Sequence, residues 1–368
     1  MIDCDVHQNF NGLDDLLPWL DPAFRDYVTE AGYGGFTLPN YPWVHPSGFM
    51  MRDAEPSNGG VPGSDYETLR EQLLDRYEIE YAILTGEDIL NVSCMAHAQL
   101  AAALATAYNR WLVEEWLPRD ERLRGSIVVA TQDATRAAQE IHEFGPHPTV
   151  VQVILPSGAK SGYGDPHYGP IFDAAVDVGL PVAVHVGAEG LGTNPPPTAT
   201  GHPAYYFEWH TLLPTAAMSH LVSLVAHGVF ERLPKLRVVL IETGVAWLPG
   251  ILWRLDANWK ALRSEIPWVR RSPSEQIREH VRFTTQPLEQ PRRRSELHAV
   301  LESIDGLGDM LMFATDYPHW DFDVPRLAIA RLPEEWRERV LRENAQALYR
   351  LPEPVAPTMQ GRTIDERA

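Results

Sequence analysis

The sequence predicts an α/β protein, a (β/α)8 TIM barrel with long insertions after strands 1 and 5. Three observations carry that reading. Eight short runs rich in β-branched residues recur along the chain, with amphipathic stretches between them. Several runs, VVQVIL and RVVLIE most clearly, are apolar on both faces, as strands buried in a parallel sheet are. Two long stretches without helical or strand period follow the C-terminal ends of strands, the face on which barrel enzymes carry their sites.

In order, the expected strands are Ile2–Val6, Tyr81–Thr85, Ser126–Ala130, Val150–Leu155, Val182–Val186, Arg237–Ile241, Val281–Thr285 and Met310–Thr315. Helices are expected over Ala96–Leu117, Ala134–Phe144, Tyr168–Val178, Leu213–Arg232, Val245–Leu262, Arg293–Ile304 and Glu334–Tyr349. The count of eight depends on the short strands Tyr81–Thr85 and Val281–Thr285; without them a doubly wound open sheet is the runner-up. The first insertion contains GGFTLPNYPWVHPSGF and the second GAEGLGTNPPPTATGHPAYYFEWH. Long loops at that face usually shape or cover a substrate pocket. Residues 1–351 are expected to form one metal-dependent domain, and 352–368, which lack an apolar period, a mobile tail.

Bulk properties narrow the function. The chain has 368 residues, within the range of a single barrel with insertions. Its formal net charge is −19, which repels phosphate backbones and argues against a nucleic-acid partner. Two cysteines, Cys4 and Cys94, cannot form a disulfide framework. No apolar run approaches the ~20 residues of a membrane span, and the chain opens on a strand rather than a leader peptide. A cytoplasmic enzyme acting on a small molecule is therefore expected. The assembly is not legible; a homodimer is the default for soluble enzymes.

The chemistry concentrates at strand ends. Asp5 and His7, at positions i and i+2, point the same way from the end of the first strand. They offer an oxygen and an imidazole nitrogen suited to Zn, Mn or Fe, although D-x-H alone reads equally well as strand capping. His185 ends the apolar strand PVAVHVG; it is either a ligand or a core histidine bonded to a carbonyl. Asp316, in LMFATDYPHWD, follows the last strand, next to the first in a closed barrel. It could bind metal, move a proton, or form an Asx turn before Pro318. Metal-competent residues ending strands one, five and eight weigh more together than any one of them.

With these pieces in place, the sequence resembles the amidohydrolase-related family, the group that contains α-amino-β-carboxymuconate-ε-semialdehyde decarboxylase. The resemblance rests on D-x-H, HVG, GVFERLPKLRVVLIETG and MFATDYPHWD, and runs from Met1 to about Leu351. It implies one divalent metal, zinc first with manganese or iron as alternatives, held at Asp5, His7, His185 and Asp316. Two positions depart from the family pattern. Asp5 stands where many members have His. Glu242, in IETG, stands where the decarboxylases of the group carry a catalytic His.

Because of Glu242, the leading expectation is a hydrolase acting on a small organic amide, lactone or ester, aromatic ones included, through a metal-activated water. Non-oxidative decarboxylation of an aromatic or unsaturated acid is the alternative, and an inactive ligand-binding barrel the second. Asp316, Glu242 and His210 are the candidate catalytic groups. His319, Trp320, Trp43 and His45 are weaker pocket candidates, and Arg254 and Arg282 are considered as anchors for a carboxylate. His227 reads as packing or surface, and Glu189 and Asn194 are unplaced. No G-x-G-x-x-G turn, G-x-S-x-G elbow or P-loop is present, which argues against a Rossmann oxidoreductase, a serine hydrolase and a P-loop NTPase.

Overall fold

The structure, a computed structural model, describes residues 1–36 and 49–353. Eight strands lie in the order of the chain: β1 (Ile2–Val6), β2 (Tyr81–Leu84), β3 (Leu123–Val128), β4 (Val150–Pro156), β5 (Val182–His185), β6 (Val238–Ile241), β7 (Val281–Thr284) and β8 (Leu311–Met312). Each pairs in parallel with the next. The cycle closes where the β8 end meets β1. Cys4 N–H donates to the Phe313 carbonyl at 2.9 Å, and His7 N–H to that of Tyr317 at 2.7 Å. The fold is the (β/α)8 barrel the sequence predicts, not an open sheet.

All strand residues except Arg282 are buried, which accounts for the two-sided apolar runs. One face of each strand fills the barrel interior and the other packs on the helices. The register matters for function. His185 pairs with Pro156 on one side and Ile241 on the other, so Glu242 leaves β6 one residue beyond the level of His185.

Several expected elements differ in their bounds; β3, for one, runs Leu123–Val128 rather than Ser126–Ala130. β8 ends at Met312 rather than Thr315. Beyond it the backbone is satisfied by side chains: Ala314 N–H donates to Thr285 Oγ1 at 3.2 Å and Thr315 N–H to Asp3 Oδ1 at 3.0 Å. The stretch 213–232 breaks into Pro214–Ala226 and Val229–Arg232 at Gly228, whose φ of +69° suits glycine and ends the first helix. The last expected helix is α-helical only over Asn344–Tyr349.

The second insertion folds against the turn after β2. Thr193 N–H donates to the Cys94 carbonyl at 2.8 Å. Gly192 sits at φ +50°, where a Cβ would lie 2.2 Å from that carbonyl oxygen, so only glycine fits. This contact joins two walls of the cleft above the barrel. Both cysteines are buried and free. Among the described residues, no helix is long and apolar enough to cross a membrane. Trp43, His45 and the tail from Pro354 onward lie outside the described residues.

Candidate metal centre and cleft

Five buried side chains from four strand ends converge at the mouth of the barrel: Asp5 near the end of β1 and His7 just after it, His185 at the end of β5, Glu242 after β6 and Asp316 after β8. His7 Nε2 lies 3.0 Å from Asp316 Oδ1 and 3.6 Å from Asp5 Oδ1. His185 Nε2 lies 3.4 Å from Asp5 Oδ2 and 3.5 Å from Glu242 Oε2. One ligand atom each from Asp5, His7, His185 and Glu242 all fall within 4.8 Å of one another, as do those of a second set, His7, Glu242, Asp316 and His319. The structure thus brings together the residues expected from sequence, but it divides them between two overlapping sets. Glu242 stands in both, and Asp316 joins through His7.

Each imidazole is fixed through its Nδ1. His7 Nδ1 is 2.5 Å from the Gly86 carbonyl, and His185 Nδ1 is 2.6 Å from its neighbour Val186's carbonyl. A ring that donates from Nδ1 to a carbonyl presents a bare Nε2 on its other side. Asp5 Oδ2, His7 Nε2, His185 Nε2 and Asp316 Oδ2 are all buried without a hydrogen-bond partner. Four orphaned polar atoms at one point are costly unless something binds them. A divalent cation fits: the donors are two imidazole nitrogens and carboxylate oxygens, and the local charge is strongly negative.

That charge is visible in the titrations. Burial, then the Asp316 carboxylate, hold the Glu242 carboxyl well above its usual range. Burial opposes protonation of His7 and His319, yet the surrounding carboxylates outweigh it and raise both. His319 bridges Asp316 Oδ1 at 2.5 Å and Glu87 Oε2 at 3.1 Å. Glu242 and Asp316 also adopt left-handed backbone, φ +58° and +62°. Such conformations cost on the order of 1 kcal/mol or more outside glycine, and they cluster at working sites. Glu242 N–H is caught by Thr284 Oγ1 at 3.0 Å, and Asp316 N–H by the Asp5 carbonyl at 3.2 Å.

Above the centre opens a cleft with about 1170 Å³ of empty volume, counted to its solvent-open mouth. His7, His185, Glu242 and His319 form its floor; Phe49, Leu90, Leu191, Pro197, Tyr206 and Trp209 supply apolar and aromatic walls. The turn after β2 adds Glu87 and Asp88. Asp88 has no hydrogen-bond or ion-pair partner among the described residues, and burial, then Glu87, push its carboxyl up to about 7.

Other sequence candidates are placed as follows. His210 does not line the cleft; its Nε2 lies 3.2 Å from Asp321, which does, and its ring stacks on Tyr206. Trp320 is largely exposed and donates to the Tyr206 hydroxyl. His227 is exposed at the end of its helix. Glu189 lines the cleft and accepts from Gly187 N–H, whereas Asn194 donates to the Ala188 carbonyl. Neither arginine serves as an anchor. Arg282, near the start of β7, donates to the carbonyls of Arg278, Glu279 and Val281, and Arg254 is exposed on the helix Leu248–Leu262. Sequence reasoning missed Glu87 and Asp88. The rule applied to strands one, five and eight, that residues ending a barrel strand face the site, would have found both after strand two.

Comparison with known proteins agrees with this geometry. The chain is 26% identical over 325 residues to γ-resorcylate decarboxylase of Rhodococcus jostii, covering 80% of this chain and 94% of that one. Its fold matches dihydroxybenzoic acid decarboxylase from Polaromonas, with bound manganese and 2-nitroresorcinol, at a TM-score of 0.66 and 18% identity, covering 95% and 97%. It likewise matches manganese-bound 5-carboxyvanillate decarboxylase from Novosphingobium aromaticivorans, at 0.66 and 18%, covering 95% and 96%. The expectation of hydrolysis is corrected here. The relatives found by sequence act on γ-resorcylate as decarboxylases, so a Glu for His exchange at position 242 is no ground for preferring hydrolysis. The Amidohydrolase family model matches residues 2–351. With its barrel and this match over nearly its whole length, the chain belongs to the amidohydrolase family.

Proposed function

We propose that this enzyme is a metal-dependent, non-oxidative decarboxylase of a small aromatic acid, with residues 1–351 acting as one catalytic domain. The observation that carries the reading is the set of four orphaned atoms on Asp5, His7, His185 and Asp316, of which His7 and His185 also line the floor of an aromatic-walled cleft. Sequence relatives that are decarboxylases support this reaction class.

Asp5, His7, His185 and Asp316 would hold one divalent ion. Manganese now precedes zinc as the ion to load, since it is bound in two structural neighbours. A bound ion would neutralise the massed carboxylates and draw electron density from a substrate oxygen. The chain's own groups do the rest. The aromatic walls orient a flat ring. Glu242, whose carboxyl burial and then Asp316 shift towards the protonated form, carries the proton that the ring carbon takes as its bond to the carboxylate breaks and carbon dioxide leaves. His319, fixed between Asp316 and Glu87, sets the orientation of Asp316.

The test is carbon dioxide release from hydroxybenzoates by the full chain, manganese-loaded and after chelation. Release that stops on chelation and returns with manganese supports the reading. Stoichiometric metal with no carbon dioxide from any aromatic acid overturns it.

A further inference from the structure

No member of the centre lies on β2, yet the turn that follows it, Thr85 to Glu87, touches Asp5 and His7 at once. Thr85 Oγ1 donates to Asp5 Oδ1 at 2.8 Å, which leaves Oδ2 as the bare oxygen. The Gly86 carbonyl lies 2.5 Å from His7 Nδ1, and Glu87 Oε2 stands 2.9 Å from the same nitrogen. A carbonyl can only accept, so Nδ1 carries the hydrogen and Nε2 is left open to an ion. Through these contacts the turn sets which atom each of the two residues presents to the centre.

The turn is itself held by the side chain of Gln8, the residue after His7. Gly86 N–H donates to Gln8 Oε1 at 2.9 Å. A backbone N–H can only donate, so the amide oxygen faces Gly86 and the amide nitrogen donates to the Tyr108 hydroxyl, on the helix Ala98–Trp111. Gln8 and Tyr108 are both fully buried, and neither is among the residues lining the cleft. Gly86 lies at φ +76°, and a Cβ there would come within 2.9 Å of the Tyr108 oxygen, so the turn rests directly against this pair. If Gln8 were lost, the Gly86 N–H would be a buried donor without an acceptor. The peptide would rotate to find one, and its carbonyl would leave His7 Nδ1.

We propose that Gln8, backed by Tyr108, is a positioning residue for the metal: by fixing the Gly86 peptide it sets the tautomer and orientation of His7, and through His7 the affinity of the centre for its divalent ion. Neither Gln8 nor Tyr108 touches substrate. The inference rests on the metal centre of the proposed function and is independent of the reaction class. Partners of this kind, one step behind a ligand, typically contribute about 10–100-fold in metal affinity.

The experiment titrates manganese into the metal-free full chain and follows it by electron paramagnetic resonance. The free-ion signal gives the dissociation constant, and the bound signal reports the symmetry of the ligands. Gln8→Met keeps the length of the side chain and removes both hydrogen bonds. It is expected to weaken manganese binding about 10–100-fold and to change the bound spectrum. Tyr108→Phe, the milder change, should move both readouts the same way by less. The double variant should be weaker than Gln8→Met by no more than about twofold, because Tyr108 acts through Gln8. A role in folding alone would lower the stability of the metal-free variants and leave the dissociation constant and spectrum of the folded protein at parental values. Parental values in folded Gln8→Met would therefore overturn the inference, and should that variant not fold, parental values in Tyr108→Phe would do so. Losses that add in full in the double variant would overturn the link from Tyr108 through Gln8. A parent chain that binds no manganese would sink the metal centre and this inference together, whereas a parent that binds it beside unaffected variants would sink the inference alone.

Discussion

Glu242 Oε2 lies 3.5 Å from Nε2 of His185, so the neighbouring strands β5 and β6 present an acid and an imidazole to one point. The Glu242 carboxyl is buried, stands beside Asp316 and is held towards its protonated form. Glu242→Gln keeps the shape and removes the transferable proton. Decarboxylation should fall by about 10²–10⁴-fold, the usual worth of a positioned acid, while metal content is retained. A steady-state assay beside elemental analysis checks this; near-parental turnover would assign Glu242 a structural role.

His185→Ala should empty the centre without unfolding the barrel, because β5 is held by ladders to both neighbours. Elemental analysis should find well under one metal per chain, with unchanged far-ultraviolet circular dichroism. Removing metal from the parent by chelation should lower its melting temperature, since uncompensated carboxylates then face one another in the interior. Manganese should restore it. An identical melting curve with and without metal would count against the centre.

Asp316→Asn is the informative change at that position. Asn accepts left-handed backbone almost as readily as Asp, so the φ of +62° costs little extra. What disappears is charge at the contact with His7 and His319. Activity should drop at least about a hundredfold with folding preserved, read as kcat and melting temperature. Asp316→Ala, by contrast, should also destabilise the protein by about 1 kcal/mol through backbone strain.

Stability should have an acid limb that starts far from the metal centre. His220 is buried, accepts from Tyr163 N–H at 3.2 Å and faces the Ser157 carbonyl at 2.7 Å. Burial lowers its titration to about 4, against the weaker raising effect of the Ser157 bond. Below its ordinary value of 6.5 the unfolded chain takes a proton that the native chain refuses. Stability from this group is therefore complete above pH 6.5 and lost as pH falls towards 4, on the order of 3 kcal/mol over the window. Denaturant titrations at several pH values should show this slope. In His220→Phe, which keeps the ring stacked on Tyr163, the slope should shrink by about one proton; an unchanged slope would place the acid sensitivity elsewhere.

The sequence by itself determined the barrel, because buried parallel strands must be apolar on both faces, and that pattern is local. β4 and β6 are legible in VVQVIL and RVVLIE for this reason. The meeting of Asp5, His7, His185 and Asp316 was legible as well, since each lies at or shortly beyond the C-terminal end of a strand and the fold sends every such end to one mouth. Strand eight was overextended because its last residues bond to the side chains of Asp3 and Thr285, far away in sequence. Only the tertiary structure decided that Glu242 enters both ligand sets, that His210 turns to Asp321, and that Glu87 and Asp88 join the wall. Those facts depend on distances between residues on different strands and loops. A distance of that kind is fixed by barrel closure and loop packing, and has no periodic signature along the chain.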